Sequence, residues 1–192
     1  MPGMAGRETR EKILERTPAG GIEGLERLAL SPSRDVRGCF VELYRSSWLS
    51  GIFGECSQLN CSVSLPGVLR GLHYHLEQWD AWFPVAGRIR AAMADLRTGS
   101  PTRMKTCVMD LSASEPCGIL IPPGVAHGYL AIDHAVVVYL VNRFYDGTDE
   151  YGVAWDDPLL GIDWGTVSPV LSERDMNNPG LPAGYGRGGP GA

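Results

Sequence analysis

The stretch from Gly67 to Gly87 concentrates side chains that can bind a ligand or move a proton. It reads GVLRGLHYHLEQWDAWFPVAG and contains His73, His75 and Asp80. Side chains alternate across a β-strand, so His73 and His75 are predicted to project from the same face. Arg70 precedes them at a spacing that places its guanidinium at the rim of the same site, where it can hold a phosphate through two parallel hydrogen bonds. The stretch therefore predicts a site for an anionic substrate.

A second segment, residues 118–130 (GILIPPGVAHGYL), adds another imidazole. A tight turn at residues 122–124 ends one strand, and His127 opens the next. Together the two segments resemble the two motifs of the cupins, with Asp80 in place of the usual glutamate. The resemblance implies that a metal ion, if one is bound, is held at the matched positions His73, His75, Asp80 and His127. Three imidazoles and one carboxylate suit a divalent ion such as iron, manganese, nickel or zinc.

The elements that must position these residues are short strands. From residue 25 to the 160s, apolar runs such as CFVELYR, CGILIPP and AVVVYLVNR alternate with Gly, Pro and Asp, and helical periodicity is absent. This pattern predicts an all-β, cupin-like double-sheet jelly roll with short peripheral helices. Residues 1–24 are predicted to form an N-terminal appendage with a short helix over 6–16, residues 25–179 the domain, and residues 180–192, rich in Gly and Pro, a disordered tail.

Length and charge narrow the classes of function. The chain has 192 residues and a formal net charge of -5, with a sequence pI near 5.3. Its length suits one domain. The acidic balance and the absence of Lys/Arg runs argue against a nucleic-acid partner or a membrane surface. With no apolar run of spanning length and no signal peptide, the sequence predicts a cytoplasmic protein.

A more specific resemblance covers roughly residues 25 to 179. The chain is similar to the nucleotide-sugar epimerases of the dTDP-4-dehydrorhamnose 3,5-epimerase family, which are cupin-like jelly rolls and usually dimers. The matching pieces occur in family order: Asp35-x-Arg37-Gly38-x-Phe40-x-Glu42, Gln58-x-Asn60-x-Ser62, Gly67-Val68-Leu69-Arg70-Gly71-Leu72-His73, Asp95-Leu96-Arg97-x-Gly99-Ser100-Pro101-Thr102, Ile121-Pro122-x-Gly124-x-Ala126-His127-Gly128, Trp155-Asp156-Asp157-Pro158-x-Leu160-Gly161-Ile162-Asp163-Trp164 and Leu171-Ser172-x-x-Asp175.

The resemblance implies a role for each matched residue. His73 is expected to take the proton from the carbon next to a 4-keto group, with Asp175 hydrogen-bonded behind it, since an imidazole held by a carboxylate is a base near neutral pH. Tyr145 is expected to return a proton to the opposite face, because a phenol keeps its proton at pH 7. The residues expected to bind the nucleotide-diphosphate sugar, some of them across a homodimer, are Arg37, Glu42, Gln58, Asn60, Arg70 and His127. The family reaction implies no cofactor and inversion at C3, C5 or both.

One part of the site departs from the family pattern. Where the family has lysine in a Gln-x-Lys-Leu stretch, thought to stabilise the enolate oxygen, this chain has Gln78-Trp79-Asp80-Ala81, and His75 replaces a usual glutamine. Losing one oxyanion stabiliser costs about 3 to 4 kcal/mol. Either a metal ion supplies the missing positive charge, or the chemistry differs from epimerisation. Asp80 has a further interpretation, a salt bridge to Arg88 or Arg90.

Three functions follow from these residues. The first is the epimerase, the second a metal-dependent cupin enzyme acting on another small molecule, and the third a non-catalytic protein that binds a sugar nucleotide. Retention of the base, its carboxylate and the tyrosine favours the first over the third, because binding alone needs no acid and base on opposite faces. The remaining acids of the matched pieces, Asp35, Asp95, Asp156 and Asp157, are interpreted as turn residues.

Overall fold

The computed structural model describes residues 14–54 and 57–185, and that part of the chain contains thirteen strands and one short helix. The elements are β1 (Glu15–Pro18), β2 (Glu26–Ala29), β3 (Ser33–Asp35), β4 (Gly38–Phe40), β5 (Gln58–Ser64), β6 (Leu69–Tyr74), β7 (Asp80–Ala86), β8 (Arg88–Asp95), β9 (Thr106–Ser112), β10 (Cys117–Ile121), β11 (Val125–Ala131), β12 (Ala135–Val141), β13 (Tyr151–Gly152) and α1 (Glu173–Met176).

The strands form two main antiparallel sheets and a small hairpin. The six-stranded sheet has the order β1-β2-β10-β7-β12-β5, the five-stranded sheet the order β13-β6-β11-β8-β9, and β3 pairs only with β4. Side chains from both large sheets share one core cluster, in which Ile119 and Val137 belong to the first sheet and Ile89 and Met93 to the second. The core therefore lies between two packed sheets, which confirms the predicted all-β, double-sheet fold.

The outer faces of both sheets are also covered over much of their area. Leu49 and Phe53 belong to a cluster with Phe83 and Leu120 on the six-stranded sheet. Segments near the carboxyl end cover the five-stranded sheet, where Trp164 shares a cluster with residues of β6, β8 and β11. Every residue of β11 is buried as a result. A strand buried on both faces is apolar almost throughout, so His127 in its middle stands out as a polar exception.

The sheet with β1 begins before the predicted domain boundary at residue 25. β1 pairs with β2 from Glu15 to Pro18, and Ile22 is buried in the core. Residues 15–24 are therefore part of the domain rather than an appendage. Of the helix predicted over residues 6–16, residues 6–13 lie outside the described part of the chain, and Glu15 and Arg16 are in a strand.

The described part of the predicted tail packs on the domain. The Leu181 amide donates a hydrogen bond to the Asp157 carboxylate at 2.6 Å, and the Tyr185 hydroxyl donates one to the Leu96 carbonyl at 2.9 Å. Residues 181–185 are thus ordered by specific contacts, while 186–192 lie outside the described residues. In the described ranges, no helix has the length and apolar character needed to cross a membrane.

Candidate active site

A cavity of about 480 Å³ lies between the two sheets, within the size range of small-molecule sites. Residues of β5, β7 and β12 line it from the six-stranded sheet, and residues of β6 and β11 line it from the other sheet. Its walls contain most of the residues singled out from the sequence: Gln58, Asn60, Arg70, His73, His75, Asp80, His127, Tyr145 and Asp175. The cavity therefore brings together side chains that are far apart along the chain.

His73 and Asp175 form a pair at the cavity wall. His73 is on β6, and its Nε2 lies 2.6 Å from Oδ1 of Asp175, which is on α1. Burial opposes ionisation of Asp175, but the hydrogen bond and charge of His73, with smaller contributions from Ser172 and the Gly71 backbone, hold the pKa of Asp175 below its usual range. An ionised carboxylate only accepts hydrogen bonds, so Nε2 of His73 carries the proton and Nδ1 has the free lone pair.

His127 lies directly across from His73 in the pairing of β11 with β6. Its Nδ1 is 2.9 Å from the Val125 carbonyl, and the ring of Trp82 contacts it edge-on with centroids 5.1 Å apart. Burial and the nearby ring of His75 lower the pKa of His127 to about 3. His127 is therefore a neutral imidazole at pH 7, suited to accept a hydrogen bond or to ligate a cation.

Asp80 is buried at the start of β7, beside His75. Its Oδ2 accepts a hydrogen bond from Nε2 of Gln78 at 3.2 Å and lies 3.9 Å from Nε2 of His75. Burial raises the pKa of Asp80 to about 6, although His75, Gln78 and the side chain of Trp82 favour its ionised form. The carboxylate thus lies in a poorly hydrated site, held by donors on two sides.

Three of the four predicted metal-ligand positions come together. One potential ligand atom from each of His75, Asp80 and His127 lies within 4.8 Å of the other two, and all three residues are buried. His73 is not in this group. Its Nε2 is paired with Asp175. Of the four positions that the cupin resemblance offered as an alternative to a metal-free site, three therefore lie close enough to share a cation.

The alternative salt bridges of Asp80 are not formed. Arg88 pairs with Asp133 at 2.6 Å, and Arg90 pairs with Asp110 at 2.8 Å. Both arginines are on β8, in the five-stranded sheet, whereas Asp80 is on the other sheet. The interpretation that paired Asp80 with either arginine is wrong.

Arg70 and two amide side chains form a polar part of the wall. Nε of Arg70 donates to Oγ of Ser64 at 2.9 Å, which fixes the guanidinium against β5. Gln58 donates to Asn60 at 2.7 Å and accepts from the Tyr145 amide at 3.1 Å. These donors and acceptors line the same cavity as His73 and suit a sugar or a phosphate.

Tyr145 lies at the exposed edge of the cavity, with 68% of its surface accessible. It forms a side-chain hydrogen bond with Glu150, and Glu150 is ion-paired with Arg174 at 2.6 Å. Burial opposes ionisation of Glu150, but the hydrogen bond and charge of Arg174, with smaller contributions from His73 and Tyr145, hold the pKa of Glu150 below its usual value. The phenol is thus positioned by a carboxylate that is itself held by a cation.

Comparison with known proteins identifies the family to which the chain belongs. A sequence profile of the dTDP-4-dehydrorhamnose 3,5-epimerase family matches residues 20–182. The chain belongs to this epimerase family. The dTDP-4-dehydrorhamnose 3,5-epimerase of Shigella flexneri is 38% identical over 150 residues, which are 74% of this chain and 83% of the relative.

Solved structures of epimerases share the fold. NovW, a 4-keto-6-deoxy sugar epimerase from the novobiocin biosynthetic gene cluster of Streptomyces spheroides, is 32% identical and superposes with a TM-score of 0.82, covering 91% of each chain. The Legionella pneumophila dTDP-6-deoxy-D-glucose-3,5-epimerase RmlC, solved in complex with dTDP-4-keto-L-rhamnose, is 30% identical with a TM-score of 0.79, covering 87% of this chain and 92% of that one.

Two residues that the epimerase resemblance assigned to substrate binding lie outside the cavity wall. Arg37 is at the tip of the β3–β4 hairpin, 86% exposed, and pairs with Asp35 at 2.5 Å. Glu42 pairs with Arg45 at 2.5 Å. Neither lines the cavity of its own chain. The cavity wall therefore does not include these two predicted binding residues.

Sequence reasoning missed three residues of this epimerase site. Glu150 and Arg174 line the cavity, and Asp149 accepts hydrogen bonds from the amides of residues 76 to 78 while its carbonyl contacts Nδ1 of His75. The sequence signal available was the acidic pair that follows Tyr145 and a glycine turn. This acidic pair indicates polar residues near the tyrosine, but it does not indicate that one of them contacts the loop of residues 76 to 78.

Proposed function

We propose that this protein inverts a carbon next to the keto group of a dTDP-linked 4-keto-6-deoxy sugar, at C3, C5 or both. The observation that supports it most is the His73–Asp175 pair, which faces a cavity that Tyr145 also lines. A base and an acid on one substrate cavity are what inversion of a carbon acid needs, since the proton leaves from one face and returns to the other. Membership of the epimerase family points to the same reaction.

His73 acts as the base. With Nε2 donating to Asp175, the lone pair on Nδ1 accepts the proton of the substrate carbon, and the carboxylate stabilises the imidazolium that forms. The electron pair of the broken C–H bond moves into the enolate, whose negative charge lies on the keto oxygen. The imidazolium then releases its proton to water.

Tyr145 acts as the acid. Its hydroxyl proton goes to the same carbon from the opposite face, the enolate returns to the ketone, and the phenolate regains a proton from water. The ion pair of Glu150 with Arg174 holds the hydroxyl in place. These two proton transfers require no cofactor at His73, and both exchange the substrate proton with solvent.

The binding groups are divided between the two ends of the substrate. Arg70, Gln58 and Asn60 line the cavity and present the donors and acceptors for the sugar diphosphate. Arg37 and Glu42 contribute from the partner in a homodimer, because neither lines the cavity of its own chain. We place the reaction in the cytoplasm, where nucleotide-activated sugars are made.

Solvent exchange tests this function. The protein is incubated in D₂O with dTDP-4-keto-6-deoxyglucose, and deuterium at C3 and C5 is measured by mass spectrometry and NMR. We expect exchange by the wild type, and a loss of roughly a hundredfold or more in His73→Asn with dTDP affinity retained. His134→Asn, an exposed histidine outside the cavity, is the matched control. Absence of exchange with dTDP-, GDP- and UDP-linked substrates alike would contradict the proposal.

A further inference from the structure

Two histidines of the cavity are each oriented by a backbone carbonyl. Nδ1 of His75 contacts the Asp149 carbonyl, and Nδ1 of His127 contacts the Val125 carbonyl. A carbonyl oxygen can only accept, so Nδ1 donates in both rings. Nε2 is then the ring nitrogen of each histidine that is available to ligate a cation.

A carboxylate completes this group of acceptors. Oδ2 of Asp80 lies 3.9 Å from Nε2 of His75, and one ligand atom of each of the three residues is within 4.8 Å of the others. The rings of His75 and His127 are 5.8 Å apart. Two imidazoles and a carboxylate therefore converge on one space in the cavity. Such a group is stabilised by a cation placed between its members.

We infer that His75, Asp80 and His127 bind one divalent transition-metal ion of the borderline class, such as zinc, iron or cobalt. Two imidazoles and one carboxylate are a ligand set that these ions prefer, and three protein ligands leave coordination positions open to the cavity. The surroundings support each ligand. Both histidines are oriented through Nδ1 by backbone carbonyls, and Asp80 is held by Gln78 and Trp82. Outer hydrogen bonds of this kind orient ligands at metal sites.

An ion in this site would stabilise negative charge on a substrate held beside His73. One carboxylate balances only half of a divalent charge, so the bound site has a net positive charge in the cavity where the keto oxygen becomes negative. This use rests on the epimerase function proposed above, whereas the binding of the ion does not. His73 remains outside the ligand set, since its ring atoms are not grouped with the ligand atoms of the other three residues. The base and the cation site are therefore separate groups.

Cobalt binding tests the site without reference to catalysis. The full chain is freed of metal with EDTA, dialysed, and titrated with Co²⁺, and the visible absorbance and the ion content per chain are recorded. We expect one Co²⁺ per chain in the wild type and at least about a hundredfold weaker binding in His75→Gln and in Asp80→Asn. His73→Asn and His134→Asn should bind Co²⁺ as the wild type does.

The outcomes separate this inference from the proposed function. No stoichiometric Co²⁺ or Zn²⁺ binding by the wild type overturns the metal site, even where deuterium exchange is retained. Loss of binding in His73→Asn as large as in His75→Gln overturns the three-residue set. Loss of exchange in His73→Asn with normal Co²⁺ binding supports both. The folding of both ligand variants is checked by thermal unfolding in EDTA. Because there are two variants, the test still holds if one of them does not fold.

Discussion

The hydrogen bond between His73 and Asp175 determines which nitrogen of the base is available. If the carboxylate is replaced by an amide, the ring can rotate or adopt the other tautomer, and the developing imidazolium loses its counter-charge. We expect Asp175→Asn to lower kcat by roughly a hundredfold or more with KM changed only a few-fold. Steady-state kinetics of the epimerisation or exchange reaction measure both constants.

The control for this variant lies on the same short helix. Glu173 is exposed and outside the cavity wall, so Glu173→Gln should leave kcat unchanged. An equal fall of kcat in the two variants would show that α1 matters only for its fold. A normal kcat in Asp175→Asn would mean that His73 does not need the carboxylate.

Asp95 illustrates a buried acid that stabilises the fold. Burial disfavours its charge, but hydrogen bonds from Arg97, Ser100 and Thr102 lower the pKa of Asp95 to about 2. An unfolded Asp titrates near 3.9, so this stabilisation is complete above that pH and is lost as the pH falls through about 2. Asp95→Asn should cost roughly 3 kcal/mol at pH 7, with a smaller difference from wild type near pH 3.

Urea unfolding at the two pH values measures the effect. Asp110 pairs with Arg90 at the surface and is 54% exposed, so Asp110→Asn is the matched control and should cost under about 1 kcal/mol. A pH-independent difference between Asp95→Asn and wild type would contradict the assigned role of the charge.

At this scale the sequence predicted the cavity residues of the motifs better than the acids of the turns. Alternation predicted that His73 and His75 share a face, and the cupin resemblance added Asp80. All three line the cavity, although His75 lies just beyond the end of β6. Asp95 and Asp157 were interpreted as turn acids, yet both are buried and accept several hydrogen bonds. Whether a turn acid is solvated depends on what packs over the turn, and for Asp157 that is the amide of Leu181, distant in sequence.

Two strands of the site approach each other unusually closely. A Cβ added at Gly128 of β11 would lie 2.7 Å from the Arg70 carbonyl of β6, and one at Gly71 would lie 2.7 Å from the Gly128 Cα. Gly71 also has φ of +127°, a conformation that favours glycine. The pairing of β6 with β11 shifts register between His127 and Tyr129, at this point. The histidines of both strands depend on this contact for their spacing.

A methyl group at Gly128 tests that dependence. We expect Gly128→Ala to cost about 1–3 kcal/mol of stability, because the two nearest atoms to its Cβ are backbone atoms that cannot move aside. The substitution should also lower exchange by displacing His73 and His127. Thermal unfolding and deuterium incorporation measure the two effects. Gly99→Ala, with no atom within 4 Å of the added Cβ, should change neither. Wild-type stability in Gly128→Ala would show that the strands can separate freely.

Elements were predictable where a strong local pattern marks them. The apolar runs gave the central strands, but β1 was missed because ERTP has no apolar alternation and is a strand only through its pairing with β2. The loop of residues 146–150 could not be placed either. Its position depends on Asp149 accepting three amides from residues 76 to 78, a contact across 71 to 73 residues of chain.

At the scale of the whole molecule, the described residues leave one apolar sheet edge exposed. β5 is one of the two edge strands of the six-stranded sheet, and Leu59 and Val63 on its outward face are 67% and 54% exposed. Phe40, on the β3–β4 hairpin, is 67% exposed. An open edge with apolar side chains favours pairing with another chain, and most soluble oligomers are symmetric dimers. Arg37 on the same hairpin would then reach a partner's cavity.

Sedimentation tests the homodimer proposed on these grounds. At micromolar concentration we expect a mass of about twice the chain mass of 20.8 kDa. Leu59→Asp puts a charge into the β5 edge and should shift the protein to monomer. The KM for the sugar nucleotide should then rise at least about tenfold, because Arg37 no longer completes the neighbouring site.

Val108→Asp is the matched control, since Val108 is 41% exposed on β9, an edge strand of the other sheet. A monomeric wild type with normal KM would contradict both the dimer and the shared site, and dissociation by Val108→Asp alone would move the interface to the opposite edge.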